Sequence, residues 1–261
     1  MNRLTYLNEN LKNEALIRWP EQCFPLPVYI APCKWYSMNN NTRYQYNDMI
    51  INALNTWENA SKGKVSFILV NSLTESQINV DWRRVDRKSL GDCKFSFDRE
   101  SRLCSAEVSI GISDGILHNQ YMDDNEVFHT ILHEIGHALG LGHSKNPGDI
   151  MYTPHQYGVV NLSVRDKNSI QWLYSLSYMT TVSSLNAKYA TNYSNIDDVI
   201  MHIAMKKGES QFQKTINEES IRLQTRNLLE ENANIGDLKK YQVLFQDIKL
   251  PKELSDKFKR I

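Results

Sequence analysis

The chain has 261 residues, with 30 basic and 30 acidic side chains and a formal net charge of zero. That balance leaves no electrostatic footprint for nucleic acid or an anionic membrane, and no run of 18 apolar residues is present to span a bilayer. Hydrophobic content of 41% and charged content of 23% are ordinary for a globular protein, either one large domain or a medium one with an appendage.

Residues 1–18 are polar and rich in asparagine, and they read as an N-terminal extension, a short helix or loose chain. They lack the apolar core and small-residue cleavage site of a secretory signal, so the expectation is a cytoplasmic protein, or one that leaves by a non-standard route. Leu26-Pro27-Val28-Tyr29-Ile30 reads as a first strand bounded by prolines. From Tyr44 to Ala60, apolar residues at Met49, Ile50, Ala53, Leu54 and Trp57 repeat at helical spacing. Val65–Val70 and Ile78–Trp82 follow as strands, then Phe95–Phe97 and Leu103–Ile112 on either side of a turn at Asp98–Ser101. The four cysteines, Cys23, Cys33, Cys93 and Cys104, allow three pairings; sequence selects none, and free thiols fit equally well.

The most informative stretch is His133-Glu134-Ile135-Gly136-His137-Ala138-Leu139-Gly140-Leu141-Gly142-His143. Positions four apart share one face of a helix, so His133 and His137 can aim two imidazoles at one point. Gly140 accepts the left-handed backbone that ends a helix, which lets the chain turn and bring in His143. Three neutral nitrogens suit a divalent zinc ion and leave one tetrahedral position for water, as in a catalytic site. Glu134 lies beside the first ligand, where a carboxylate can take a proton from that water. The predicted helix runs from Asp124 to Leu139, capped by Asp123, Asp124 or Asn125, with Glu126 favourable in its first turn. His129, one turn before His133, reads as a surface or supporting residue, because a fourth ligand would block the water position.

This run resembles the metzincin zinc endopeptidases and, within them, the matrixins, especially short bacterial matrixin domains. The resemblance continues into Ser144, a Met-turn at Asp149-Ile150-Met151-Tyr152, and a closing helix within Leu162–Tyr174. It implies an α+β fold: a twisted, mostly parallel five-stranded sheet with one antiparallel edge strand and three helices. It implies that Met151 floors the metal site without binding zinc, that Asp166 ties the closing helix to the Met-turn, and that the strand near Cys93–Phe97 is a free edge beside the cleft. Pro154 and Tyr157 are the candidates for the substrate pocket, with spacing unlike the family's, and His155 is expected to be exposed. No cysteine switch is expected, since neither Cys23 nor Cys33 sits in the family's inhibitory motif. Asp114, His118, Asp123 and Asp124 lack a recognisable spacing for the family's additional ions, so one zinc is expected and calcium is not assured.

The chain is thus divided into an extension at 1–18, a catalytic domain at 19–178 and a small all-helical region at 179–261. In the last, Asn195 caps a helix bearing Ile196, Val199, Ile200 and Ile203, and the region could dock a protein partner. The expected function is a zinc metalloendopeptidase that takes an extended protein or peptide substrate. Its rivals are a zinc-dependent amide hydrolase with a non-protein substrate and a peptide-binding module on the same scaffold.

Overall fold

The computed structural model describes residues 3–12, 14–33, 36–37, 44–84, 90–112 and 123–208. Nearly all of these belong to one compact unit, Met1–Ala204; of a second unit, Met205–Ile261, only residues 205–208 are described. The helical reading of 209–246 and the segment carrying Asp114 and His118 lie outside the described residues.

After a 3-10 turn at Leu7–Asn10, a two-residue hairpin pairs β1 (Leu11–Lys12) with β2 (Ala15–Leu16). β3 (Leu26–Ile30) leads to a second small hairpin, β4 (Tyr36–Ser37) with β5 (Tyr44–Gln45), which runs directly into α1 (Tyr46–Ala60). β6 (Phe67–Val70), β7 (Ile78–Arg84), β8 (Gly91–Phe97) and β9 (Leu103–Ile112) complete the strands. They are followed by α2 (Asp124–Ala138), α3 (Val164–Leu173), α4 (Val182–Tyr189) and α5 over 196–208. Among the described residues, no helix is long and apolar enough to cross a membrane.

The central sheet has the order β6-β3-β7-β9-β8, parallel throughout except for β8, which runs antiparallel to β9 at one edge. The β8–β9 turn is closed by Asp98, whose Oδ1 accepts from the backbone N–H groups of Glu100 and Arg102. α1 buries the stripe read from its periodicity, Met49, Ile50, Ala53, Leu54 and Trp57. The Trp57 indole N–H donates to Leu132 O at 3.0 Å, fastening α1 to α2, and α2 lies against β8 and β9.

The core does not stop at residue 18 or at residue 178. Leu7, Leu16 and Ile17 on one side, and Leu185, Ile196, Val199, Ile200 and Ile203 on the other, are buried in the same cluster as the sheet and α2. Both flanks are polar on average, yet their few apolar residues face inward, and burial follows those positions rather than the mean composition. Asp197 on α5 fixes the N-terminal arm: its carboxylate accepts from Thr5 Oγ1 at 2.7 Å and from the N–H groups of Leu7 and Asn8 at 2.6 and 3.2 Å. Asn195 caps α5 by accepting from Asp197 N at 2.8 Å. No disulfide joins any of the four cysteines, all of which are described.

Candidate metal centre

Helix α2 starts where Asp123 accepts from the N–H of Asn125 at 2.9 Å, and it carries His133 and His137 one turn apart. It ends in a Schellman motif: Leu141 N–H donates to Gly136 O and Gly140 N–H to His137 O, with Gly140 at φ +91°. Two side chains occupy further carbonyls at this end, the Trp19 indole on Ala138 O and the Tyr174 hydroxyl on Leu139 O. A Gly140→Ala variant would force an L side chain into left-handed backbone, its Cβ 2.7 Å from Ile17 O. The expected loss is about 2 kcal/mol of stability, read as a fall in the urea midpoint.

The turn brings His143 back to the helix, and the ligand atoms of His133, His137 and His143 all lie within 4.8 Å of one another. His137 Nε2 is 3.1 Å from both His133 Nε2 and His143 Nε2. His133 Nδ1 sits 2.7 Å from Ile150 O, and His137 Nδ1 2.8 Å from Leu141 O. A carbonyl can only accept, so each Nδ1 carries the proton and each Nε2 presents a lone pair. The Nε2 lone pairs of His133 and His137 thus face one another at 3.1 Å, an arrangement suited to a cation held between them. Tetrahedral zinc with Zn–N bonds of about 2.0–2.1 Å would hold its nitrogens about 3.3 Å apart, so the residues fit that ion. Burial holds His137 down to about 4 and pushes His133 well below its ordinary value, with His143 also lowered by burial. Burial thus favours the neutral form of all three imidazoles, the form in which a ring nitrogen can bind a metal.

Glu134 is 7% exposed and lies against β8: a Cβ on Gly91 would come within 2.6 Å of its Oε1. Burial raises its carboxyl to about 8, with Asp92 adding to the rise and Arg83 opposing it. A neighbouring cation acts in the same sense as Arg83, toward the carboxylate. Met151 is fully buried beneath this end of α2, and Ser144 N–H donates to Met151 O at 2.7 Å, closing the loop on the turn below. Asp166 accepts from Ile150 N–H at 2.9 Å, so the aspartate does tie α3 to the Met-turn.

One feature, at His155, differs from the sequence reading, and two others extend it. His129 is buried, and its Nδ1–H donates to Val159 O at 2.5 Å. Glu126 stands in the first turn of α2 as read, and it is also buried, accepts from Gly158 N–H at 2.9 Å, and meets His155 Nε2 at 2.5 Å. His155, expected to be exposed, is covered by that contact and by the His129 ring at a centroid distance of 4.0 Å. Together these residues pin the loop that carries Pro154 and Tyr157 onto α2. Pro154 and Tyr157 themselves stay outside the histidine group, exposed on that loop, Tyr157 by 66%.

Residues 33–175, more than half of the chain, match the Matrixin family model. The chain belongs to the matrixin family. The matrixin match contains all three histidines and Glu134, and with it the fold is an α+β metzincin fold on a mixed five-stranded sheet. Zinc dependence is implied by the family. Among relatives, "Probable matrix metalloproteinase 095L" of Invertebrate iridescent virus 3 is 27% identical over 196 residues, covering 69% of this chain and 49% of its own length. Macrophage metalloelastase of Rattus norvegicus is 47% identical over 51 residues, 18% of this chain and 11% of that protein. This chain thus spans about half the length of the viral relative. A solved structure titled "GM1 bound form of the ECX AB5 holotoxin" is similar at a TM-score of 0.45 and 16% identity, over 70% of this chain and 95% of that one.

Proposed function

We propose that this matrixin chain is a zinc-dependent endopeptidase, with His133, His137 and His143 as the metal ligands and Glu134 as general base and then acid. The observation that carries the reading is the convergence of imidazole lone pairs beside a buried carboxylate. A zinc ion held there would supply Lewis-acid polarisation of the scissile carbonyl and of an attacking water. Glu134 takes the proton from that water and returns it to the leaving amine nitrogen, so no serine or cysteine nucleophile enters. Met151 packs below the ligand rings as an apolar floor. β8 has no strand on its outer side among the described residues, and its free N–H and C=O groups suit an extended peptide paired along the edge. The loop bearing Pro154 and Tyr157 supplies the candidate pocket wall.

The test is digestion of denatured protein and internally quenched peptides by the purified chain. Cleavage is expected, with about one zinc per chain, abolished by a chelator and restored by added zinc. Undiminished cleavage after metal removal would defeat the proposal. Activity confined to non-protein amides would keep the metal site and replace the substrate class.

A further inference from the structure

The N-terminal arm touches the loop that joins the second and third histidines. Asn10 is only 3% exposed, although it is polar and 130 residues distant from that loop. Its Nδ2 donates to Gly140 O, and its Oδ1 accepts from Gly142 N–H at 2.9 Å. Those two partners, one acceptor and one donor, fix the orientation of the amide. Glu9 closes the approach: a Cβ on residue 142 would meet the Glu9 Cβ and carbonyl oxygen at 3.0 Å, so residue 142 is a glycine where the arm lies on it.

The Gly142 N–H and the Leu141 C=O are the two polar groups of one peptide unit. In a trans peptide they point in opposite directions. One end is held by Asn10, and the other accepts from His137 Nδ1 at 2.8 Å. A hydrogen bond at the N–H end polarises the carbonyl, so the His137 Nδ1–H bond is strengthened as well as aimed. That bond fixes the tautomer and the basicity of the ligating nitrogen. The loop then continues through Gly142 directly to His143.

We infer that Asn10 is a positioning residue of the metal centre, acting through the Leu141–Gly142 peptide on His137 and through the loop on His143. The inference rests on the zinc reading of the preceding section. The arm is therefore part of the site's construction and not a peripheral extension.

The experiment compares the full chain with Asn10→Ala, Asn10→Leu and Thr5→Val. Asn10→Leu keeps most of the side-chain volume while deleting both hydrogen bonds, and it stands in if the alanine variant does not fold. Thr5→Val removes the buried contact from the same arm to Asp197 and touches nothing in the loop. Zinc affinity is read by competition with a chromophoric chelator, and coordination geometry by the visible spectrum of the cobalt(II)-loaded protein. Loss of a ligand's supporting partner commonly weakens metal binding by about 10- to 100-fold. The Asn10 variants are expected to bind zinc about tenfold more weakly, with a shifted cobalt spectrum, while Thr5→Val stays within about twofold of the parent. Equal zinc affinity and identical spectra for the parent and the Asn10 variants would overturn the inference and leave the metal site standing. So would an equal loss in Thr5→Val, which would make the arm's effect one of general stability. A parent chain that binds no zinc would overturn the site itself.

Discussion

Glu134→Ala is expected to lower kcat/KM for peptide cleavage by about 10³-fold, the range of a general base placed on the reacting water. Zinc content and the thermal midpoint should stay close to those of the parent chain. Glu134 is outside the proposed ligand set, and its surroundings already disfavour its charge: burial raises the carboxyl to about 8, and Asp92 pushes the same way. Removing it therefore relieves a buried acid without breaking a hydrogen-bond network. Glu134→Gln is the stricter variant, since it keeps the volume against Gly91 and removes only the basicity. Both variants should be inactive while binding metal normally. Parent-like turnover by Glu134→Gln, measured on one batch of zinc-replete protein, would show that another group moves the proton.

The largest loss of stability is expected from Asp166→Ala. This carboxylate is fully buried and accepts from Tyr6 OH at 2.7 Å, Ile150 N–H at 2.9 Å and Ser163 N–H at 2.8 Å. Burial raises its carboxyl, and these three donors pull the other way. Alanine would leave the donors unpaired inside the protein, each at a cost of about 1–3 kcal/mol before relaxation. Allowing for relaxation, the expected destabilisation is about 3–5 kcal/mol, measured by urea unfolding. The damage should reach the metal centre, because Ile150, whose N–H is held by Asp166, also supplies the carbonyl that holds His133 Nδ1. A change below about 1 kcal/mol would mean that water replaces the carboxylate at little cost.

What could be read from the chain was what is written locally. The three histidines come together because a helical repeat, a left-handed glycine and a short loop are all contained in eleven consecutive residues. The stripe on α1 and the Asp98 turn between β8 and β9 are equally local, and both stand in the structure where the pattern placed them. α1 begins at Tyr46 and not Tyr44, because the two preceding residues pair in a small hairpin. What composition concealed depends on partners far along the chain. Asn10 finds Gly140 and Gly142, Tyr6 finds Asp166, and Asp197 finds Leu7; Asn10, Tyr6, Leu7 and Asp197 carry no periodic or motif signal that names these partners. Glu126 had a sufficient local explanation in the helix dipole, and that explanation hid its contact with the loop at His155 and Gly158.

The clasp between Asp197 and the backbone of Leu7 joins residues 190 positions apart. During synthesis this arm is made before α5, and it has no carboxylate to hold it until α5 follows. Closing so distant a pair costs loop entropy and delays the last step of folding. A nascent chain thus holds its complete histidine motif before Asp197 has been made to clasp the arm.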